Sequence, residues 1–191
     1  MPNEEHSLAT YVSDMLAVER HIQKPFSVQA KDDDFAKYAN ARALVTRLDK
    51  LAERHADALK SALDTLGGHE ASAVKSAVTD VLGGVAGVID KIRKTKVSKS
   101  LRDDYTALSL CTVSYTMLAT TALSYGDARV ASLAQQHLGD YTKAVMDISD
   151  AIPEVVVQEL ADLGLSVQQS AADEGRKIAR NAWAPDAVSA L

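Results

Sequence analysis

The sequence predicts an all-α protein, and three observations carry that prediction. Ala, Leu, Lys, Glu and Gln are plentiful while aromatic residues make up only 5% of the chain, and alternating β-branched runs are nearly absent. Apolar residues recur at three- and four-residue steps over long stretches, the period of a helix with one face against a core. Acidic clusters, glycines and prolines punctuate those stretches where helices start and stop. At 191 residues the chain can bury a sizeable core without disulfide or metal staples.

Each element follows from its own residues. A first helix is expected from about Glu4 to Gln29, with Leu8, Val12, Met15, Ile22 and Phe26 on one stripe. Pro25 should kink or interrupt it, because proline lacks the amide proton and crowds the preceding turn. "KDDDF" then supplies acids suited to a helix start. A second long helix carries Leu44, Leu48, Leu51, His55, Leu59, Ala62 and Leu66, and stops at Gly67-Gly68. Between Gly68 and about Ser100 lies a longer, partly helical connection ("EASAVKSAVTDVL"), broken at Gly83-Gly84 and Gly87 and long enough for a crossover. A third helix from about Leu101 to Tyr125 shows Leu108, Cys111, Tyr115, Leu118 and Ala122; a fourth, from about Ala128 to Ala151, shows Val130, Ala134, His137, Tyr141, Val145 and Ile148. Pro153 suits the first position of a fifth helix, continuous or divided near Gly164, before a tail "APDAVSAL". The expected division is thus a helical bundle over 1–152 and a C-terminal helical extension and tail over 153–191.

Several function classes are disfavoured. The single cysteine precludes an intramolecular disulfide, and Cys111 on a core stripe reads as a small hydrophobe rather than a nucleophile. The start "MPNEEHSLATYV" has neither a basic nor an apolar signal region, so the expected location is the cytoplasm. No run of about eighteen apolar residues is seen, which argues against a membrane span. A net charge of −5 and few aromatics argue against nucleic acid, and the basic run "KIRKTKVSKSLR" reads as a solvated linker. "LGGVAGV" lacks the preceding strand and the spacing of a phosphate loop.

Three ionisable residues interrupt apolar stripes: Glu19 between Met15 and Ile22, His55, and His137. A buried carboxylate needs a counter-charge, a metal or water beside it. Carboxylates and imidazoles projecting into a bundle core are how ferritin-like proteins hold two metal ions. The segment "HADALKSALDTLGG", residues 55–68, resembles the second bundle helix of bacterioferritin- and ferritin-type proteins, with Glu19 one helix earlier and His137 where a fourth-helix ligand falls. The resemblance implies a ferritin-like antiparallel four-helix bundle with a long crossover and an added C-terminal helix. It further implies a stress-related protein binding Fe or Zn, with Glu19, His55, His137, Asp140 and Asp104 as candidate ligands.

The departures set a second reading beside the first. Where the family has a glutamate three residues before each histidine, this chain has Ala52 and Ala134, and Glu53 lies about 100° around the helix from the needed direction. Glu19, His55 and His137 are therefore either a site for a single Zn or Fe, or a hydrogen-bonded network joined by Tyr115 or Tyr141. Under the second reading the protein is a non-catalytic, oligomerising structural or interaction module. Val155, Val156, Leu160, Leu163 and Val167 suggest a dimer formed through the C-terminal segment. His6, His21 and His69 lie off the stripes and are expected to be solvated.

Overall fold

The computed structural model describes residues 4–68 and 96–184. Among these the chain is helical, with four long helices and two short ones. They are α1 (Glu4–Gln29), α2 (Asp33–Ala36), α3 (Ala39–Thr65), α4 (Val97–Ser124), α5 (Ala128–Asp162) and α6 (Ala171–Trp183). The expected breaks at Gly83-Gly84 and Gly87 lie outside the described residues, as do His69 and the tail after Ala184.

Paired contacts give the helix directions. Glu19 meets Tyr115 and, ten residues on, Gln29 Nε2 donates to Asp104 Oδ1 at 3.0 Å, so α1 and α4 are antiparallel. His55 faces Asp140, Arg47 lies 3.7 Å from Asp147, and Asn40 bonds Glu154 at 3.1 Å, which makes α3 and α5 antiparallel. Tyr115 with His137 and Ser98 with Glu159 make α4 and α5 antiparallel as well. Because α3 also runs against α1, α3 and α4 point the same way. The end of α3 and the start of α4 consequently lie at opposite ends of the molecule, and residues 69–95, which join them, lie outside the described residues.

Turn chemistry positions the long helices. Gly67 has φ 65°, where an L side chain would be strained, and the Gly68 amide bonds the Leu63 carbonyl at 3.1 Å, closing α3 as the glycine pair predicts. Gly126, at φ 73°, ends α4, and the Asp127 side chain accepts from the Val130 amide at 2.9 Å to cap α5. The aspartate cluster does not start the second long helix. Asp32 caps the four-residue α2 by accepting from the Asp34 amide at 2.7 Å, and α3 begins only at Ala39.

Three expectations need correction. Pro25 does not interrupt α1, which runs through it with Ile22 and Phe26 both buried in the core. Pro153 does not begin a helix either: α5 continues to Asp162, so the expected division after residue 152 falls inside one helix. The reason lies in α6. The Arg176 Nε donates to the Asp150 carbonyl at 3.0 Å, serving the turn that a proline loosens, and Gly175 lets the two backbones approach at the Pro153 ring. α6 is held by Arg176 to Glu154 at 3.0 Å and Arg180 to Asp150 at 2.7 Å, and it buries no residue fully. The basic run is not a linker from Val97 onward, where it forms the first turns of α4.

The apolar stripes pack as the periodicity implies, with Val12, Phe26, Leu59, Leu108, Leu118 and Ile148 buried together. Val155 belongs to that core, so part of the C-terminal apolar stripe is used within the chain rather than offered to a second copy. α4 is, among the described helices, the one long and apolar enough by length and composition to cross a membrane. Its inner face is committed to the core through Leu108, Cys111, Tyr115 and Leu118.

Candidate functional site

Glu19, His55 and His137 converge at mid-height of the four long helices, each 3% exposed or less, with their ligand-type atoms within 4.8 Å of one another. Each reaches this level because it occupies the inward position of its own stripe. The carboxylate of Glu19 is enclosed by donors: Tyr115 hydroxyl to Oε1, Tyr141 hydroxyl to Oε2, and His55 Nδ1 at 3.3 Å from Oε1. His137 Nδ1 lies 3.0 Å from the Tyr115 oxygen. The far edge of His55 faces outward, its Nε2 3.1 Å from Oδ2 of the half-exposed Asp140.

Donor accounting sets the protons. Tyr115 spends its hydrogen on Glu19, so its oxygen accepts from His137 Nδ1–H, and His137 is the neutral tautomer protonated at Nδ1. His55 has a carboxylate oxygen at each nitrogen, so its ring bridges Glu19 and Asp140. Burial, with the neighbouring His55 charge second, holds His137 down to about 3, so it stays neutral beside that ring. Burial, followed by the charge of Glu19, pushes both phenols far above the ordinary tyrosine range.

A titration follows from this. Tyr115 and Tyr141 should not ionise in the folded protein, and Tyr38, pushed up to about 12 mainly by burial, should ionise late. Folded-state values above the unfolded value near 10 mean that stability is lost as pH rises past 10. Absorbance near 295 nm should show these tyrosines absent from the first alkaline phase and appearing with loss of helical circular dichroism. Their ionisation as ordinary phenols in folded protein would contradict the network.

The two imidazoles stack with centroids 3.7 Å apart and planes within 10°. This decides how the group fits a metal. The donor types suit one Zn or Fe ion, but imidazole lone pairs lie in the ring plane. An ion shared midway between such rings, at ordinary bonds of about 2.0–2.1 Å, would sit roughly 60° out of each plane. Glu19 already has both oxygens taken by phenols, and Ala52 and Ala134, fully buried one turn before the histidines, offer no carboxylate. The donor types fit a metal and their orientation does not.

Asp104 is separated from this layer. It precedes Tyr115 by eleven residues, about 16 Å along the helix, and its Oδ1 accepts from Gln29 Nε2, forming a second polar contact between α1 and α4. Asp140 does join the site, but through His55 rather than through its own helix neighbour His137. The sequence carried no signal for that choice, nor for the stacking of the rings, since both depend on how α3 and α5 are set side by side. The hydroxyls of Tyr115 and Tyr141 were legible as network partners from their stripe positions. His21 is partly exposed. Cys111 is fully buried, and burial pushes its thiol well up.

No family model and no curated protein matches this chain. Among solved structures, a protein from Xanthomonas campestris pv. campestris is similar at a TM-score of 0.67 and 18% identity, over 85% of this chain and 99% of that one. At that identity the likeness concerns the fold alone. The fold and the site together define an all-helical protein with a buried Glu–Tyr–Tyr–His–His layer.

Proposed function

We propose that this chain is a ferritin-like four-helix bundle that keeps the architecture and has exchanged the di-metal chemistry for a hydrogen-bonded layer. On this reading it acts in the cytoplasm as an oligomerising structural or interaction protein, without a role on membranes or nucleic acid. One observation carries the exchange: Glu19 is closed by two phenols while His55 and His137 stack, so the groups that would face an ion face each other instead. The parallel course of α3 and α4 supports the bundle, because it is the relative direction that the family's crossover topology gives its second and third helices.

A second reading rests on a specific observation, the convergence of Glu19, His55 and His137 atoms within 4.8 Å. Rotation of one imidazole out of the stack would turn these groups into a two-histidine, one-carboxylate set for a single Zn or Fe, with Asp140 at the outer edge. Loading decides between the two. After anaerobic Fe²⁺ or Zn²⁺ exposure and desalting, elemental analysis should find less than about a tenth of an ion per chain. About one ion per chain, abolished by Glu19→Gln and by His55→Ala, would overturn the exchange and establish the metal reading.

A further inference from the structure

From Tyr105 to Gly126, through most of α4 and into the turn after it, the chain carries no charged residue, 22 residues in all. Half of that stretch faces the core, where charge is not expected. The outward face is also uncharged, through Thr106, Ser109, Val113, Thr116, Met117, Thr120 and Leu123, with Val113, Met117 and Leu123 between 51% and 69% exposed. The outward positions of α3 are different: Arg42, Arg47, Lys50, Glu53, Asp57, Lys60 and Asp64 make an ordinary solvated face. α4 thus has two faces that avoid charge, and among the described residues one of them is covered.

The hydroxyls on that outer face are already provided for. Thr106 donates to the Arg102 carbonyl at 3.1 Å, Ser109 to Tyr105 at 2.8 Å, Thr116 to Thr112 at 2.9 Å, and Thr120 to Thr116 at 2.8 Å. Each donor is turned back onto its own helix and the threonine methyls are left outward. Such a face loses no hydrogen bond when water is removed. Its small side chains also let another helix approach closely.

We propose that this face of α4 packs against the same face of a second copy of the chain, antiparallel about a two-fold axis near Thr116. Charge distribution selects this occupant. A two-fold sets each residue opposite one equally far beyond the axis, so the uncharged strip meets itself along its length. Its ends then bring Arg102 and Asp103 of one copy to the turn that carries Asp127 and Arg129 of the other. Each end holds an acid together with a base, and the Lys96–Arg102 end is the more basic, so the pairing brings Arg102 within about one helical turn of Asp127 of the partner subunit. A bilayer would meet the same strip bounded at both ends by charge, Arg102 and Asp103 at one and Asp127 and Arg129 at the other.

The strip from Thr106 to Tyr125 is about 28 Å long and buries on the order of 500 Å² per copy, below the roughly 800 Å² of a standard interface. The dimer should therefore dissociate in the micromolar range. This inference stands on α4 alone and is independent of whether the inner layer holds a metal.

Sedimentation velocity of the full chain over a range up to about 500 µM tests it. Wild type should pass from monomer to dimer; Thr116→Arg, a change at an exposed position beside the axis, should raise the dissociation constant at least tenfold by setting like charges together. An equimolar mixture of Thr116→Arg and Thr116→Glu chains should recover the dimer. Circular dichroism and melting of each variant confirm that the fold is retained; if Thr116→Arg misfolds, Met117→Arg and Met117→Glu serve in its place. Wild type remaining monomeric throughout overturns the proposal, and so does a dimer unaffected by these charges. Co-flotation of monomeric wild type with phosphatidylcholine–phosphatidylglycerol vesicles, lost in Thr116→Arg, would assign the face to lipid instead and also overturn it.

Discussion

Glu19→Leu should cost about 3–5 kcal/mol and lower the melting temperature by about 10 °C. The substitution keeps the bulk of the side chain and removes an acceptor on which three donors converge, the hydroxyls of Tyr115 and Tyr141 and Nδ1–H of His55. Each buried donor left unpaired costs about 1–3 kcal/mol, offset in part by the added apolar surface of leucine. His55 also loses the inner of its two carboxylate partners. Glu19→Gln retains one acceptor oxygen and should cost only about 1–2 kcal/mol, because a phenol can rotate to accept from the amide. Chemical denaturation of the three proteins, followed by helical circular dichroism, gives the ranking. Equal stability of Glu19→Leu and wild type would remove the basis for the polar layer.

Acid should destabilise the protein over a window that His137 sets. Its value falls from 6.5 unfolded to about 3 folded, so between those limits the unfolded chain binds a proton that the folded chain refuses. Stability therefore rises with pH through the window and is lost as pH falls from 6.5 toward 3, at about 1.4 kcal/mol per unit where the difference is complete. The accumulated loss reaches about 3–5 kcal/mol, comparable with the whole stability of many domains. His137→Asn keeps a donor toward the Tyr115 oxygen and removes the titration. Unfolding free energy measured from pH 7 to pH 4 should fall less steeply for that variant, and identical slopes would show that other groups govern acid sensitivity.

The helices were readable because their information is local. α1 runs from Glu4 to Gln29 as its apolar period implies, and the glycines at 67 and 126 end α3 and α4 where their left-handed backbone is needed. The inward direction of Glu19, His55, Tyr115, His137 and Tyr141 was equally legible, since a helix of 3.6 residues per turn assigns each position a face. Pro153 misled because the same residue type serves a helix start and a helix interior. Which of the two applies depended on Arg176, more than twenty residues away, reaching the carbonyl beside it.

By itself, then, the sequence determined which segments are helical, which faces they bury, and that one carboxylate and two imidazoles look inward. Only the tertiary structure decided what those groups meet. Helical period specifies a direction about an axis but neither the height at which neighbouring helices are set nor the rotamers their packing allows. Setting α3 beside α5 brings His55 onto His137 and out to Asp140, and setting α4 against α1 gives the carboxylate of Glu19 the Tyr115 phenol while Asp104 is left to Gln29. Those contacts between distant segments, rather than the residue types, make the layer a closed hydrogen-bonded network.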